Sequence, residues 1–428
     1  MHCYQCEQTV GGIGCTQAGA CGKDENVQSL QDNLLFALKG IAAYAYHARE
    51  LGCFNSEVDA FFAEALYATL TNVNFDLGNL VTLNLKAGEM TLTAMEMLKQ
   101  AHIANYGEMV PVQVPTGTVA GPGILVTGHS LKVLYELLKQ TEGTGINVYT
   151  HGELLPAHAY PKLKAFSHLK GNVGGSWVDQ QEEFSQFPGV IVGTTNCVLL
   201  PRADYQDRMF TVGPDHLPGV KHIDGYDYSE IIAKALSLPK VSEQAGNIVL
   251  TTGFSDANVL PLAGKILEAV AAGKIKHFFL VGGCDSPGNG GEYYREFVKQ
   301  TPKDTIVLTL ACGKFRFNDL DLGSIDGIPR LLDLGQCNDA GSAVKIAVAL
   351  AGALNCGVND LPLTLVLSWM EQKAVAILMG LFALGIKGIY LGPKPPAWIT
   401  PAVFGVLQSS FDLRLTKTPE ADLKEILG

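Results

Sequence analysis

The sequence is poor in charged residues and has no excess of basic ones. Charged side chains make up 17% of its 428 residues, and 31 Lys and Arg stand against 42 Asp and Glu, a net charge of −11. An acidic surface repels a polyanion, so nucleic acid is excluded as an expected partner. The 47% hydrophobic content, with 47 glycines and 20 prolines, indicates a loop-rich globular chain and excludes a largely disordered one.

Long apolar segments are also missing. The longest uncharged apolar run, from Ala374 to Ile386, has 13 residues, whereas a helix needs about 20 to span a bilayer. The opening Met-His-Cys-Tyr-Gln-Cys has neither the basic segment nor the apolar core of a secretory signal, so we expect a cytoplasmic protein with no membrane partner. Thiols stay reduced in the cytosol, so the ten cysteines are not expected to form disulfides. Cysteines bunched at short spacing are instead expected to bind metal, in an anaerobic or microaerobic setting if that metal is oxygen-sensitive.

Nucleotide-binding motifs are lacking as well. The stretch Gly123-Ile-Leu-Val-Thr-Gly128-His129-Ser130 has the spacing of a P-loop, but His129 replaces the lysine that contacts phosphate. No Gly-x-Gly-x-x-Gly lies between a strand pattern and a helix pattern with the acidic partner that a dinucleotide site needs. A nucleotide cofactor is therefore not expected, and any electrons used by the protein must come from an external donor protein.

Hydrophobic periodicity changes along the chain. Apolar residues spaced by three and four predict an N-terminal helical bundle from Asn26 to about Tyr106, and an extended linker follows at residues 109–117. Short β-type runs then alternate with helical stretches, which favours a multidomain α + α/β protein with two doubly wound, Rossmann-like parallel-sheet domains. The predicted domains are 1–108, 109–242 and 243–428. The β-type runs begin at Gly123, Ile146, Gly189, Asn247, His277, Thr305, Pro329, Pro362 and Gly388.

Four cysteines are concentrated at the N-terminus. Cys3, Cys6, Cys15 and Cys21 form the pattern C-x2-C-x8-C-x5-C, interleaved with glycines that let backbone amides approach sulfur. Four thiolates suit a closed tetrahedral zinc site. A cysteine-rich loop without a strand or hairpin pattern around it favours an iron–sulfur cluster instead.

Seven more side chains of metal-ligand type follow the β-type runs at their carboxyl ends. In an open α/β sheet the ligand crevice lies outside those ends, so we expect these side chains to lie close together. A lone cysteine is usually a small buried hydrophobe, yet seven ligand-type residues at one topological position are hard to attribute to chance. Thiolate, imidazole and carboxylate together suit a redox iron site with sulfide and oxygen bridges better than structural zinc. The seven are His129, Glu153, Cys197, Cys284, Cys312, Cys337 and Glu371, which leaves Cys53 and Cys356 as predicted core residues.

The sequence around these residues resembles hybrid cluster protein, a family also called prismane or hydroxylamine reductase. The resemblance extends from residue 3 to beyond Lys373. This chain is shorter than the family's longer members, and it resembles the compact class that lacks a second three-helix bundle. Met370 stands where the family usually has tyrosine. The segments that carry the resemblance are Cys3-Tyr-Gln-Cys-Glu-Gln-Thr, Gly128-His129, His151-Gly-Glu153, Thr195-Asn-Cys197-Val, Gly283-Cys284-Asp, Ala311-Cys-Gly-Lys-Phe-Arg-Phe-Asn, Gly335-Gln-Cys337-Asn-Asp and Trp369-Met-Glu371-Gln-Lys373.

The resemblance implies two iron–sulfur clusters and a reductase. The four N-terminal cysteines would bind a cubane [4Fe-4S] cluster, and the seven strand-end residues would bind a hybrid [4Fe-2O-2S] cluster at the junction of the domains, with a persulfide on Cys284. The reaction would be reduction of hydroxylamine to ammonia and water, with electrons from the external donor. Cys284, Glu371 and the neighbouring Lys373 are the expected catalytic residues.

Other functions stay open at this point. Nitric oxide reduction to nitrous oxide would use the same cluster, and a protein S-nitrosylase or redox sensor active in nitrosative stress would pass a nitrosyl group to partner thiols. Carbon monoxide dehydrogenase chemistry is less favoured, because a nickel–sulfide site would prefer cysteine at Glu153 and Glu371. A homodimer through the N-terminal region is also expected, because loss of a covering bundle would expose an apolar helical face.

Overall fold

The computed structural model describes residues 1–246 and 248–428, so Asn247, the start of one predicted strand run, lies outside the described residues. The helices are α1 (Glu25–Glu50), α2 (Ser56–Ala68), α3 (Leu77–Tyr106), α4 (Leu131–Thr141), α5 (Pro161–Lys164), α6 (Gln180–Gln186), α7 (Ser229–Ser237), α8 (Asp256–Val259), α9 (Ala263–Ala271), α10 (Asn289–Gln300), α11 (Ala340–Leu354), α12 (Gln372–Ala383), α13 (Pro401–Phe411) and α14 (Pro419–Leu427).

The strands follow the same order along the chain. They are β1 (Val112–Pro115), β2 (Gly123–Thr127), β3 (Asn147–His151), β4 (Leu169–Asn172), β5 (Val190–Gly193), β6 (Met209–Val212), β7 (Lys221–Ile223), β8 (Val249–Thr252), β9 (His277–Gly283), β10 (Thr305–Thr309), β11 (Ser324–Ile325), β12 (Ile328–Pro329), β13 (Leu331–Asp333), β14 (Leu363–Ser368), β15 (Tyr390–Gly392) and β16 (Arg414–Leu415). The chain divides into two compact units, unit 1 with Met1–Ala101 and Cys356–Gly428, and unit 2 with His102–Asn355.

Unit 1 contains the N-terminal helices and three parallel strands, β14, β15 and β16. Helix α12 packs against α1 and α3 at two glycines. A Cβ atom on Gly40 would lie 2.6 Å from the Cβ of Ala376, and one on Gly88 would lie 2.1 Å from the carbonyl oxygen of Met379. No side chain fits at such distances, so these two glycines let the backbones approach closely and fix the position of α12.

Unit 2 contains the larger α/β part. Six parallel strands pair in the order β4-β3-β2-β5-β6-β7, and β9, β10 and β13 form a second parallel set with β10 in the middle. Strands β2, β3 and β10 are buried along their whole length, which is the pattern of parallel strands covered on both faces. The predicted fold class, a helical N-terminus followed by doubly wound parallel sheets, is confirmed.

One predicted strand has a different role. The run that begins at Asn247 was expected among the parallel strands, but β8 pairs antiparallel with β1, with Val112 opposite Thr252. Strand β1 lies in the proline-bounded segment interpreted as a linker, and β1 and β8 form a separate two-stranded sheet. In the part of the chain that is described, no helix is both long and apolar enough to cross a membrane.

Candidate metal centre

Three ligand-type residues meet at one edge of the six-stranded sheet. His129 follows β2, Glu153 follows β3 and Cys197 follows β5, and these three strands are neighbours in parallel register. Parallel neighbours end on the same side of a sheet, so the turns after them come together there. The strand-end pattern in the sequence therefore corresponds to a real juxtaposition for these residues.

Three cysteines have the same relation to the second parallel set. Cys284 follows β9, Cys312 follows β10 and Cys337 follows β13, and β10 pairs with both of the others. Cys312 and Cys337 each begin a short 3-10 helix, Cys312–Arg316 and Cys337–Asp339. Cys284 directly follows its strand, and the other two thiols lie three and four residues beyond the ends of β10 and β13.

The two groups are joined through Glu153. The Nε2 atom of His129 lies 3.9 Å from Oε2 of Glu153, and the same oxygen accepts a hydrogen bond of 2.8 Å from the backbone N–H of Cys337. The ligand atoms of His129, Glu153 and Cys337 all lie within 4.8 Å of one another, and all three residues are buried. Within residues 1–246 and 248–428, no other cysteine belongs to a group of three ligand-type residues whose ligand atoms lie this close together.

Cys312 connects the remaining ligand-type residues to this group. A hydrogen bond with Cys197, burial, and the nearby charges of Glu153, Cys197 and Cys284 all raise the pKa of the Cys312 thiol well above its ordinary value. This shift favours the protonated thiol, whereas a bound cation would offset the surrounding negative charge and favour the thiolate. Six of the seven predicted ligands thus share one neighbourhood in unit 2.

The backbone is strained immediately before one of these ligands. Ala311 has φ 65° and ψ −171°, a conformation that is essentially restricted to glycine. Cys197 itself has φ 67°. Non-glycine residues in the left-handed region cluster at functional sites, where the surrounding structure holds them in place. Here the strain turns the chain sharply off the end of β10 and presents the Cys312 thiol.

Polar side chains that sequence reasoning missed tie the ligand segments together. The Nδ1 atom of His129 lies 2.7 Å from Oγ1 of Thr195, two residues before Cys197. The ammonium group of Lys314 donates to Oδ1 of Asp333 at 3.0 Å and to the carbonyl oxygen of Gly335 at 2.9 Å, which links the Cys312 and Cys337 segments. Thr195 and Lys314 lie within two residues of a predicted ligand in the sequence, and this closeness could have identified them.

A second ion pair links the Cys284 and Cys312 segments. Asp285 is buried and lies next to Cys284, and its Oδ1 accepts a hydrogen bond of 2.7 Å from Nε of Arg316. The hydroxyl of Ser176 donates to the other carboxylate oxygen. Arg316 closes the 3-10 helix that Cys312 begins, so the pair fixes one ligand segment against the other.

Glu371 and Lys373 lie in unit 1, and their assignment to the centre stays a prediction. Glu371 is the N-cap of α12, and its carboxylate accepts a hydrogen bond of 3.1 Å from the backbone N–H of Lys373. The ammonium of Lys373 lies 3.8 Å from Oε1 of Glu371. The lysine is buried, and the nearby carboxylate of Glu371 offsets part of its charge.

The N-terminal loop has the features of a thiolate site. Cys3 and Cys15 pair through two backbone hydrogen bonds, and the backbone N–H of Ala20 donates to Sγ of Cys15 at 3.5 Å. A Cβ atom on Gly19 would lie 3.1 Å from Sγ of Cys21, so glycine keeps the backbone close to that sulfur. Amides aimed at sulfur stabilise thiolate ligands, and they fit the predicted N-terminal cluster.

The donor set of unit 2 fits an iron–sulfur group. Four thiols supply soft ligands, while the imidazole of His129 and the carboxylate of Glu153 supply harder ones. Structural zinc takes four ligands, fewer than the six that share this neighbourhood. The residues present therefore match a multi-iron centre with both sulfur and oxygen around it.

Comparisons with known proteins point the same way. The model of the Prismane/CO dehydrogenase family matches residues 1–83 and 76–424. The chain is 62% identical over 428 residues to a hydroxylamine reductase of Moorella thermoacetica, with 100% of both chains covered. It is 60% identical over 427 residues to a hydroxylamine reductase of Thermotoga maritima, covering 100% of this chain and 99% of that one. Carbon monoxide dehydrogenase IV from Carboxydothermus hydrogenoformans shares the fold alone, with a TM-score of 0.80 at 16% identity over 100% of this chain and 91% of that chain.

Proposed function

Because the chain belongs to the Prismane/CO dehydrogenase family, we propose that it is an iron–sulfur oxidoreductase that reduces hydroxylamine to ammonia and water. The observation that carries the proposal is the buried trio of His129, Glu153 and Cys337, with ligand atoms within 4.8 Å, at the strand ends where the family motifs fall. The thiols of Cys197, Cys284 and Cys312 complete the neighbourhood.

In this proposal the chain binds two iron–sulfur clusters. A cubane [4Fe-4S] cluster is held by Cys3, Cys6, Cys15 and Cys21. A hybrid [4Fe-2O-2S] cluster is held by the six ligands of unit 2, and the family resemblance implies Glu371 as a further ligand and a persulfide on Cys284. When bound, the hybrid cluster supplies an iron that accepts the substrate and polarises its N–O bond. The donor set supports this composition, because it combines thiolate with imidazole and carboxylate.

Hydrogen bonds within unit 2 hold the predicted ligands in place and set their orientation. Thr195 contacts Nδ1 of His129, which leaves Nε2 directed towards Glu153. Glu153 is held by the N–H of Cys337, so its carboxylate has one fixed orientation. The buried surroundings exclude bulk water from these side chains and strengthen every charge interaction among them.

The reaction balances with a protein donor. Hydroxylamine takes up two electrons and two protons, its N–O bond breaks, and ammonia and water leave. Cys3, Cys6, Cys15 and Cys21 would hold the cubane cluster, which would supply single electrons received from an external donor protein. Lys373 is proposed to supply a proton to the departing hydroxide. Glu371 is proposed as a second catalytic residue beside it. Both roles rest on the family resemblance of Trp369-Met-Glu371-Gln-Lys373.

Steady-state turnover with a reduced dye tests the reaction. Hydroxylamine, nitric oxide and carbon monoxide are offered separately to the anaerobic protein. We expect hydroxylamine to cause oxidation of the dye, and the amount of ammonia released to equal the amount of hydroxylamine lost. Turnover with nitric oxide alone would reassign the protein as a nitric oxide reductase, turnover with carbon monoxide alone would favour dehydrogenase chemistry, and no turnover would favour a sensor or S-nitrosylase.

Replacement of Cys284 tests where the reaction takes place. Cys284→Ala should abolish turnover with hydroxylamine and leave the absorbance of the N-terminal cubane unchanged. Cys53→Ala is the matched control, because Cys53 lies outside both ligand sets and is partly exposed. Unchanged hydroxylamine reduction in Cys284→Ala would contradict the assignment of the site.

A homodimer through the N-terminal region is proposed as well. Helix α2 and the turns around it expose large apolar side chains, among them Phe54, Leu66, Tyr67 and Leu70. Exposed apolar residues of this size, when they adjoin, are typical of a surface that a second chain covers. Sedimentation at micromolar concentration should give about twice the chain mass of 45.7 kDa, and a single-chain mass would contradict the proposal.

A further inference from the structure

Gln336 contacts the backbone of two predicted ligands at once. Its side-chain nitrogen Nε2 donates to the carbonyl oxygen of His129 at 3.1 Å and to the carbonyl oxygen of Glu153 at 2.7 Å. Gln336 is only 1% exposed and immediately precedes Cys337. One carboxamide therefore joins three segments, each of which carries a member of the buried trio.

A neutral carboxamide suits the chemistry of these contacts. The carbonyl oxygens of His129 and Glu153 lie beyond the ends of β2 and β3, where sheet pairing no longer supplies a donor. Buried carbonyl groups need hydrogen-bond donors, and the NH₂ of glutamine carries two N–H groups on one atom. A carboxylate at this place would set oxygen against oxygen, and a lysine would add a charge.

The backbone of Gln336 is fixed independently of its side chain. Its N–H donates to Oδ2 of Asp339 at 2.7 Å, which closes the short 3-10 helix that begins at Cys337. The N–H of Cys337 donates to Oε2 of Glu153 at 2.8 Å. The carboxamide is thus anchored on a rigid turn, and its two hydrogen bonds hold the neighbouring strand ends at a fixed distance from that turn.

We propose that Gln336 is a positioning residue, which holds the backbones of His129 and Glu153 against the Cys337 segment and so sets the spacing of the buried trio. The proposal rests on the proposed function for the identity of the ligands. Gln336 does not touch substrate in it. Its effect on the reaction passes through the three ligands, and removal of its two hydrogen bonds should loosen the second cluster without disturbing the N-terminal one.

Two near-isosteric variants and two matched controls test the proposal. Gln336→Glu replaces the donor NH₂ with an acceptor, and Gln336→Met removes it while keeping the length of the side chain. Gln140 is the control residue, because its Nε2 also donates to two carbonyl oxygens, of Glu136 at 3.2 Å and of Tyr226 at 2.7 Å, away from the ligands. Gln140→Glu and Gln140→Met therefore make the same chemical changes elsewhere in unit 2.

The readouts separate positioning from folding. EPR spectra and redox titration of the holoenzyme follow the two clusters separately, so the N-terminal cubane is an internal standard in each sample. Both Gln336 variants should alter the EPR signal of the second cluster and lower kcat for hydroxylamine by about 10- to 100-fold, with a smaller change in KM. Gln336→Glu, which adds negative charge, should also give that cluster a lower reduction potential. The cubane signal and both Gln140 variants should match the wild-type protein.

Each other outcome has a definite meaning. A second-cluster signal, potential and kcat equal to wild type in both Gln336 variants would overturn the positioning role. Loss of both clusters in the Gln336 variants, with the same loss in the Gln140 variants, would also overturn it and assign a general folding role. A wild-type protein with both clusters but no hydroxylamine turnover would refute the proposed function alone, since the spectra would still report on Gln336.

Discussion

The hydroxyl oxygen of Thr195 lies 2.7 Å from Nδ1 of His129, and both side chains are buried. Thr195 is also positioned to donate to the carbonyl oxygen of Asn196 at 3.3 Å. When the hydroxyl donates there, it accepts from Nδ1–H, and the lone pair of His129 is then on Nε2, which faces Glu153. Contacts of this kind fix the tautomer of a metal-binding histidine and keep its ring in one orientation.

Thr195→Val should therefore weaken the second cluster. The variant keeps the shape of the side chain but removes the partner of Nδ1, and we expect kcat for hydroxylamine to fall by about 10- to 100-fold. Thr141→Val is the control, because Oγ1 of Thr141 lies 2.9 Å from Nε2 of His168 in the same unit and no predicted ligand is involved. Equal activity of the two variants in the dye assay would contradict a specific role for Thr195.

Lys314→Met should destabilise the fold strongly. The side chain of Lys314 is fully buried and its partner Asp333 is 2% exposed, so removal of the lysine leaves an uncompensated buried carboxylate. Such a change lowers the free energy of unfolding by about 3–5 kcal/mol. Urea unfolding followed by circular dichroism measures it. The double variant Lys314→Met/Asp333→Leu should recover most of the loss, because it removes both charges.

An exposed ion pair is the control for that experiment. Lys274 and Asp326 approach to 2.7 Å with side chains 54% and 50% exposed, where solvent screens the interaction. Lys274→Met should change the free energy of unfolding by less than about 1 kcal/mol. A loss in Lys314→Met as small as the loss in Lys274→Met would show that the buried pair does not hold the Cys312 and Cys337 segments together.

Ala311→Gly should stabilise the protein. The conformation of Ala311 costs alanine about 1–3 kcal/mol of strain, and glycine adopts it without that cost. This gain exceeds the additional entropy cost of about 0.5–1 kcal/mol that glycine carries on folding. Thermal unfolding should show a higher midpoint for the variant. Ala349→Gly, at an exposed position inside α11, should instead lower stability by about 1 kcal/mol. A fall of the midpoint in both variants would refute the strain at Ala311.

Gly88→Ala should disrupt unit 1. The new Cβ would lie 2.1 Å from the carbonyl oxygen of Met379 and 2.9 Å from the N–H nitrogen of Gly380, so α12 would have to move. Overpacking of this kind typically lowers the free energy of unfolding by about 1–3 kcal/mol. Gly264→Ala, which meets no atom within 4 Å in α9, should be neutral or stabilising. Urea unfolding distinguishes the two, and a stable Gly88→Ala would show that α12 packs differently.

Six of the seven residues that the sequence predicts for the second site lie close together, because topology does most of the placement, and their role as ligands stays a prediction. Parallel strands end at one edge, so six residues that follow strands in the sequence share a neighbourhood in unit 2. The resemblance to hybrid cluster protein is confirmed by the family match. The residues that hold the ligands were not predicted, since the contacts of Gln336, Thr195 and Lys314 join segments far apart in the chain and leave no periodic pattern.

Two other expectations show where local patterns fail. Strand β8 was expected in a parallel sheet, but its partner β1 is antiparallel, and pairing between distant segments is not encoded in either run alone. Cys53 and Cys356 were predicted as core residues from their apolar surroundings, yet both are partly exposed. Each follows the end of a helix, α1 and α11, where the chain turns outward and the apolar pattern no longer describes a buried face.

Iron and acid-labile sulfide analysis of the anaerobically purified protein, combined with EPR, shows whether the chain binds two four-iron clusters. We expect about eight irons per chain and a spin system distinct from that of a plain cubane. About four irons with a cubane signal alone, or zinc in place of iron, would contradict that expectation.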